Sequence, residues 1–73
     1  MVTMIEVQNS KAVKKIGYDK AKSTMYIQFA DSPLYAYLDV NSTVFKNFAN
    51  SDSKGRFWHK EIKGEYKEIR LDN

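Results

Sequence analysis

Cysteine is absent from all 73 residues, which excludes any disulfide and any thiolate metal site. Histidine occurs once, as His59, so a site built on paired imidazoles is excluded as well. There is one proline, Pro33, and there are three glycines. No apolar run approaches the ~20 residues that a membrane span needs. The opening stretch MVTMIEVQNS lacks the basic start and apolar middle of a signal peptide. These absences predict a cytoplasmic chain with no membrane segment and no cofactor. Its stability must come from a small core alone and is expected to be modest.

Aromatic residues make up 14% of the chain, and such residues bury large areas in small domains. The net charge of +3 is mild. Residues 1–40 carry five lysines against four acids, and residues 41–73 carry seven basic residues against five acids. A surplus this small is weak support for nucleic-acid binding by charge alone.

Periodicity divides the chain in two. MIEVQ alternates Ile5 and Val7 against Met4, Glu6 and Gln8, the pattern of a short strand. In VKKIGYD, Val13 and Ile16 are out of phase, and a bulge near Lys14 or Lys15 restores them to one face. TMYIQF sets Met25, Ile27 and Phe29 against Thr24, Tyr26 and Gln28, and ADSP reads as a turn. LYAYLDV follows as a strand with Leu34, Ala36 and Leu38 on the apolar side and Tyr35 and Tyr37 opposite.

At NSTVFKNFAN the period changes to that of a helix, with Asn41 or Ser42 as cap and Val44, Phe45 and Phe48 on one face. SKGRFWHKEIKGEYKEIRL reads as a second helix at least to Lys63, with Gly64 as its stop or as an interior glycine. If the helix runs on, Arg56, Lys60, Lys63, Lys67 and Arg70 form a basic stripe, and Glu61, Glu65, Glu68 and Asp72 an acidic one. Trp58, Ile62, Tyr66 and Ile69 then form the apolar stripe. A solvated face of alternating charge is the commoner meaning of such stripes, and a phosphate-binding stripe is the alternative.

The segments SKAVKKIGYD, YAY and SKGRFWHKEIKGEYKEIRL, in this order, resemble the KTSC domain family over about residues 4–71. Ile16, Gly17, Tyr18 and Asp19 match its Ile-Gly-Tyr-Asp element, and Tyr35 and Tyr37 its tyrosine pair. Ser53, Gly55, Phe57 and Trp58 match its Ser-x-Gly and the two aromatics that follow, and Ile62, Lys63 and Tyr66 its later motif. Three positions depart from the pattern. Ser32 and Pro33 stand where the family has glycine, His59 where it has asparagine, and Lys63 where it commonly has arginine, whose forked contact lysine does not reproduce. The family is named for a domain at the C-terminus of some lysyl-tRNA synthetases and also occurs as small bacterial and phage proteins. The resemblance implies such a domain, and RNA binding has been suggested for the family.

Catalysis finds little support. His59 has no nucleophile elbow or comparable motif around it. SDSKGR is not a Walker A loop, but a helix start flanked by Lys54 and Arg56 attracts anions. The plainer account is an ordinary cap with Gly55 allowing close packing. Tyr35, Tyr37 and Tyr26 form either a base-stacking platform on an open sheet face or buried rings with bonded hydroxyls.

The expected architecture is α+β: a three- or four-stranded antiparallel meander followed by two helices on its apolar face, in one domain over residues 1–73. The expected core is Ile5, Val7, Ile16, Met25, Ile27, Phe29, Leu34, Leu38, Val44, Phe48, Trp58 and Ile62. The expected function is a non-catalytic binding module. Its partner is RNA, held by partly exposed Tyr35 and Tyr37 with Lys54, Arg56, Lys60 and Lys63 nearby. The alternative is a protein-interaction module, such as a small phage-type factor that docks on a host protein.

Overall fold

The computed structural model describes residues 2–8 and 10–71. Four strands form a meander: β1 (Thr3–Glu6), β2 (Val13–Asp19), β3 (Thr24–Phe29) and β4 (Leu34–Tyr37). Two helical segments follow, α1 (Ser42–Ala49) and α2 (Lys54–Phe57), and α2 continues as a wider π-type turn over Trp58–Ile62. The chain then returns as β5 (Glu68–Leu71), which pairs antiparallel with β4. The class is α+β as expected, but the sheet has five strands, ordered β1-β2-β3-β4-β5, rather than three or four. Among the described residues, no helix is long and apolar enough to cross a membrane.

Local chemistry accounts for most boundaries. The register between β2 and β3 slips between Val13 and Lys15, and this bulge brings both Val13 and Ile16 into the core. The Asp19 carboxylate accepts from the backbone N–H of Ala21 and Lys22 in the next turn. Asn41 caps α1 by accepting from the Thr43 N–H at 2.8 Å, and Ser53 caps α2 by accepting from the Arg56 N–H at 3.3 Å. Gly64, at φ +81°, ends the helical path in a conformation that side-chain-bearing residues disfavour. Lys67 and Arg70 therefore leave the basic stripe, and Asp72 lies outside the described residues.

Both helical segments pack on one sheet face. The core joins Val13, Ile16, Met25, Ile27, Tyr37 and Val40 to Phe48 and Ile62. Val7, Phe29, Val44 and Trp58 pack against it partly buried.

Three expected core residues are corrected. Ile5 is 50% exposed, because β1 is an edge strand and a hollow separates it from the Ala49–Lys54 region. Leu34 and Leu38 are half-buried outside the core cluster.

The reason lies in the register of β4. Tyr35 stands opposite Ile27 and Tyr37 opposite Met25, so both tyrosines share the helix-covered face. Leu34 and Ala36 stand opposite Gln28 and Tyr26 on the other face. The tyrosines were expected outside and the leucines inside. Pairing with β3 reverses that assignment, because directly opposed residues must point the same way.

Candidate functional site

Where α2 and its π-type turn cross β3, β4 and β5, a cleft of about 440 Å³ opens. Phe29, Tyr35 and Tyr37 line it from the sheet, Gly55, Trp58, His59 and Lys63 from the helical side, and Glu68 from β5. Its walls are aromatic and packed edge to face. The Phe29 ring meets Tyr35 at 5.8 Å and Trp58 at 5.1 Å between centroids, both at 72°. His59 stands edge-on to Trp58 at 6.4 Å.

A short polar chain runs through this aromatic cluster. The Trp58 Nε1–H donates to the Tyr37 hydroxyl at 3.0 Å, and that hydroxyl donates to Glu68 Oε2 at 2.9 Å. Tyr37 is 1% exposed, so its hydroxyl needs these partners to offset the loss of water. Burial pushes the phenol well above tyrosine's ordinary range, the Glu68 carboxylate pushes the same way, and the Trp58 donor opposes them. The Tyr37 hydroxyl thus fixes the Trp58 ring against the sheet.

The π-type turn supplies the cation. The Lys63 N–H donates to the Trp58 carbonyl at 2.8 Å, five residues back, and the chain then turns extended at Lys63. The Lys63 ammonium lies 5.7 Å from the centre of the Trp58 ring, within cation–π range. In a regular helix Lys63 continues the line of Arg56 and Lys60. The wider turn instead aims it back across the cleft.

The six residues expected to form one site are thus divided among three places. Tyr35, Tyr37 and Lys63 share the aromatic cleft. Lys54 lines the hollow beneath β1, where its ammonium donates to the Ser51 carbonyl at 2.9 Å. Arg56 and Lys60 line a third, open hollow with Phe57 and Glu61. Of the four expected cations, Lys63 lines the cleft with the tyrosines, and Lys54, Arg56 and Lys60 do not. Tyr35 is half-buried, in keeping with partial exposure, whereas Tyr37 is buried, contrary to expectation. Tyr26 lies on the opposite sheet face, with Met4 and Leu34. Tyr18 packs as a structural ring, stacked on Phe45 at 5.1 Å with its hydroxyl donating to the Val40 carbonyl.

Cleft residues absent from the expected site include Phe29, Trp58, His59 and Glu68. Trp58 and Phe29 had been assigned to the core, which each serves in part. The signal for Glu68 was the period-two run EIRL after Gly64, which marks a strand returning to the sheet.

Comparisons with known proteins agree with this fold. The crystal structure of a KTSC domain protein from Yersinia pestis superposes with a TM-score of 0.95 at 32% identity, covering 99% of this chain and 100% of that one. The lysine–tRNA ligases of Trichormus variabilis and Nostoc sp. are each 34% identical over 55 residues, or 75% of this chain. The chain spans about a tenth of the length of those ligases. A protein of Tsukamurella paurometabola is 29% identical over 62 residues, covering 85% of this chain and 92% of its own length. The KTSC domain profile matches residues 9–66, and with it Tyr35, Tyr37, Gly55, Trp58 and Lys63, all of which line the cleft. The chain belongs to the KTSC domain family.

Proposed function

We propose that this domain is a non-catalytic RNA-binding module that holds one unstacked base in the Trp58 cleft, with Lys63 against the neighbouring phosphate. The observation that carries the reading is the union in one cleft of aromatic walls and a cation aimed across them. Proteins that read single-stranded RNA stack splayed bases on aromatic rings and meet the backbone with Lys or Arg. The volume of about 440 Å³ is of the size that encloses a small organic group. The Glu68 carboxylate and the Tyr35 hydroxyl offer polar partners to a base edge. The kinship with proteins named lysine–tRNA ligase supports RNA as the ligand class. His59 is exposed and edge-on to Trp58, a setting that gives it packing rather than an oriented nucleophile.

Trp58 is the sole tryptophan, so its fluorescence reports the cleft directly. Titration with single-stranded oligoribonucleotide pools at low salt should give saturable quenching. Tyr35→Ala should weaken binding about 5- to 100-fold, the range for loss of one stacking ring. Lys63→Ala should lower the slope of log affinity against log salt by about one. No binding by the unaltered chain at low salt, or binding indifferent to both changes, would sink the proposal.

A second reading is favoured by the other sheet face. Met4, Tyr26 and Leu34 line a hollow there, and Ile69 and Leu71 are exposed, as on a protein-docking surface. A complex made that way would depend little on salt.

A further inference from the structure

We infer that β5 is a self-complementary edge through which two copies of this chain pair about a two-fold axis at Ile69. The sheet order makes β5 an edge strand, and all four of its residues are exposed, so no element among the described residues covers it. Leu38 lies opposite Lys67 in continuation of the β4–β5 register, and its N–H donates to the Lys67 carbonyl at 3.0 Å. Antiparallel pairing alternates, so Lys67, Ile69 and Leu71 direct their backbone groups to β4, while Glu68 and Arg70 direct theirs to the outer edge.

A two-fold axis normal to the sheet runs the strands antiparallel and keeps the helix-covered faces on one side. Three symmetric registers then bring the outward backbone groups together, centred on Glu68, Ile69 or Arg70. The first places two carboxylates opposite each other and the third two guanidinium groups, both unfavourable. Only the register centred on Ile69 opposes Glu68 with the second copy's Arg70, twice over. It also makes both of these pairs hydrogen-bonded in the ladder, each exchanging two N–H···O=C bonds.

The side chains suit this register. Ile69 is 38% exposed on the open face and meets its own copy at the axis, where the non-hydrogen-bonded pair brings side chains close. Glu68 accepts from the Tyr37 hydroxyl at Oε2, and a carboxylate has further acceptor sites for an arginine. Arg70 has a contact within its own chain, and its guanidinium carries five donors. The product is a continuous ten-stranded sheet with both β5 edges closed. Head-to-tail pairing of β5 with β1 would propagate instead of closing.

Sedimentation equilibrium of the full chain without RNA tests this, at protein concentrations up to about 1 mM because a short edge gives a low-affinity interface. The apparent mass should rise towards twice the monomer's. Ile69→Asp opposes two carboxylates at the axis on an exposed position and should leave a folded monomer, with association weakened at least about tenfold. Arg70→Glu should act likewise, and the combined Glu68→Arg and Arg70→Glu exchange should restore association. Should the combined exchange unfold the domain through loss of the Tyr37 contact, Ile69→Asp decides alone. A chain that stays monomeric at the highest concentration overturns the inference. So does association that persists in Ile69→Asp, or a folded exchange variant that fails to restore it.

Discussion

The two faces of the sheet carry similar side chains and have opposite fates. The covered face presents Ile16, Met25, Ile27, Tyr35 and Tyr37, and the open face presents Met4, Tyr26, Leu34, Ala36 and Ile69. Each has aliphatic residues and at least one tyrosine. What separates them is whether the tyrosine hydroxyls find partners. On the covered face, the α2 side offers the Trp58 N–H and β5 offers the Glu68 carboxylate, so Tyr37 is buried without a lost hydrogen bond. Tyr26 stays half-buried on the open face. A tyrosine in a small domain is thus placed by what can bond its hydroxyl as much as by its ring.

Substitution of the two central tyrosines tests that difference and should give the largest effect. Tyr37→Ala removes a buried ring and leaves the Trp58 N–H without its acceptor, so it should cost about 3–5 kcal/mol. Tyr26→Ala removes a half-buried ring from the open face and should cost about 1 kcal/mol. Urea denaturation of both variants measures the gap. Equal losses would mean that the two faces are equally buried in solution, as they would be if a second layer covered the open face.

A finer change isolates the hydroxyl. Tyr37→Phe keeps the ring and should cost about 1–2 kcal/mol through the orphaned Trp58 donor. It should also alter the response to alkali. Tyr37 has its pKa raised in the folded protein. Above a pH of about 10 an unfolded chain gives up the phenolic proton while the folded chain keeps it. The folded state then holds more protons, so rising pH favours unfolding. The unaltered protein should therefore lose stability from about pH 10 upwards more steeply than Tyr37→Phe. Parallel slopes in thermal melts across that range would show that the Tyr37 hydroxyl is solvated.

Several features were legible in the sequence because the information is local. The bulge at Lys14, the Asn41 cap, the Ser53 cap and the turn after Phe29 each depend on a few adjacent residues. The face of β4 was not legible. Its own pattern permits either orientation, and only the pairing of Tyr37 with Met25 selects one. The cleft was half legible for a related reason. The family motif marked Tyr35, Tyr37 and Lys63, but a regular helix keeps Lys63 in line with Arg56 and Lys60, and the π-type turn moves it. Glu68 and Ile69 were assigned to helical stripes, although Gly64 allows the chain to leave the helix and EIRL then reads as a strand.

The smallest expected effect separates packing from recognition within the cleft. Gly55 was read as a residue that permits close approach. A Cβ built there meets the Ala12 Cβ at 3.5 Å, an ordinary van der Waals contact. Unlike Gly64, Gly55 has no positive φ, so alanine fits its backbone without strain. Gly55→Ala should therefore stabilise the domain by about 0.5–1 kcal/mol, mainly by restricting the unfolded chain and favouring the helix. Ala12 and Gly55 both line the cleft, so the added methyl reduces its volume beside Trp58 without touching Tyr35, Tyr37 or Lys63 chemically. A variant that melts higher yet binds oligoribonucleotide more weakly would place the ligand against this wall. A variant that melts higher with unchanged binding would place it on the Tyr35 side. A lower melting temperature would mean that α2 packs on Ala12 more tightly than ordinary contact, and that the cleft wall itself needs glycine.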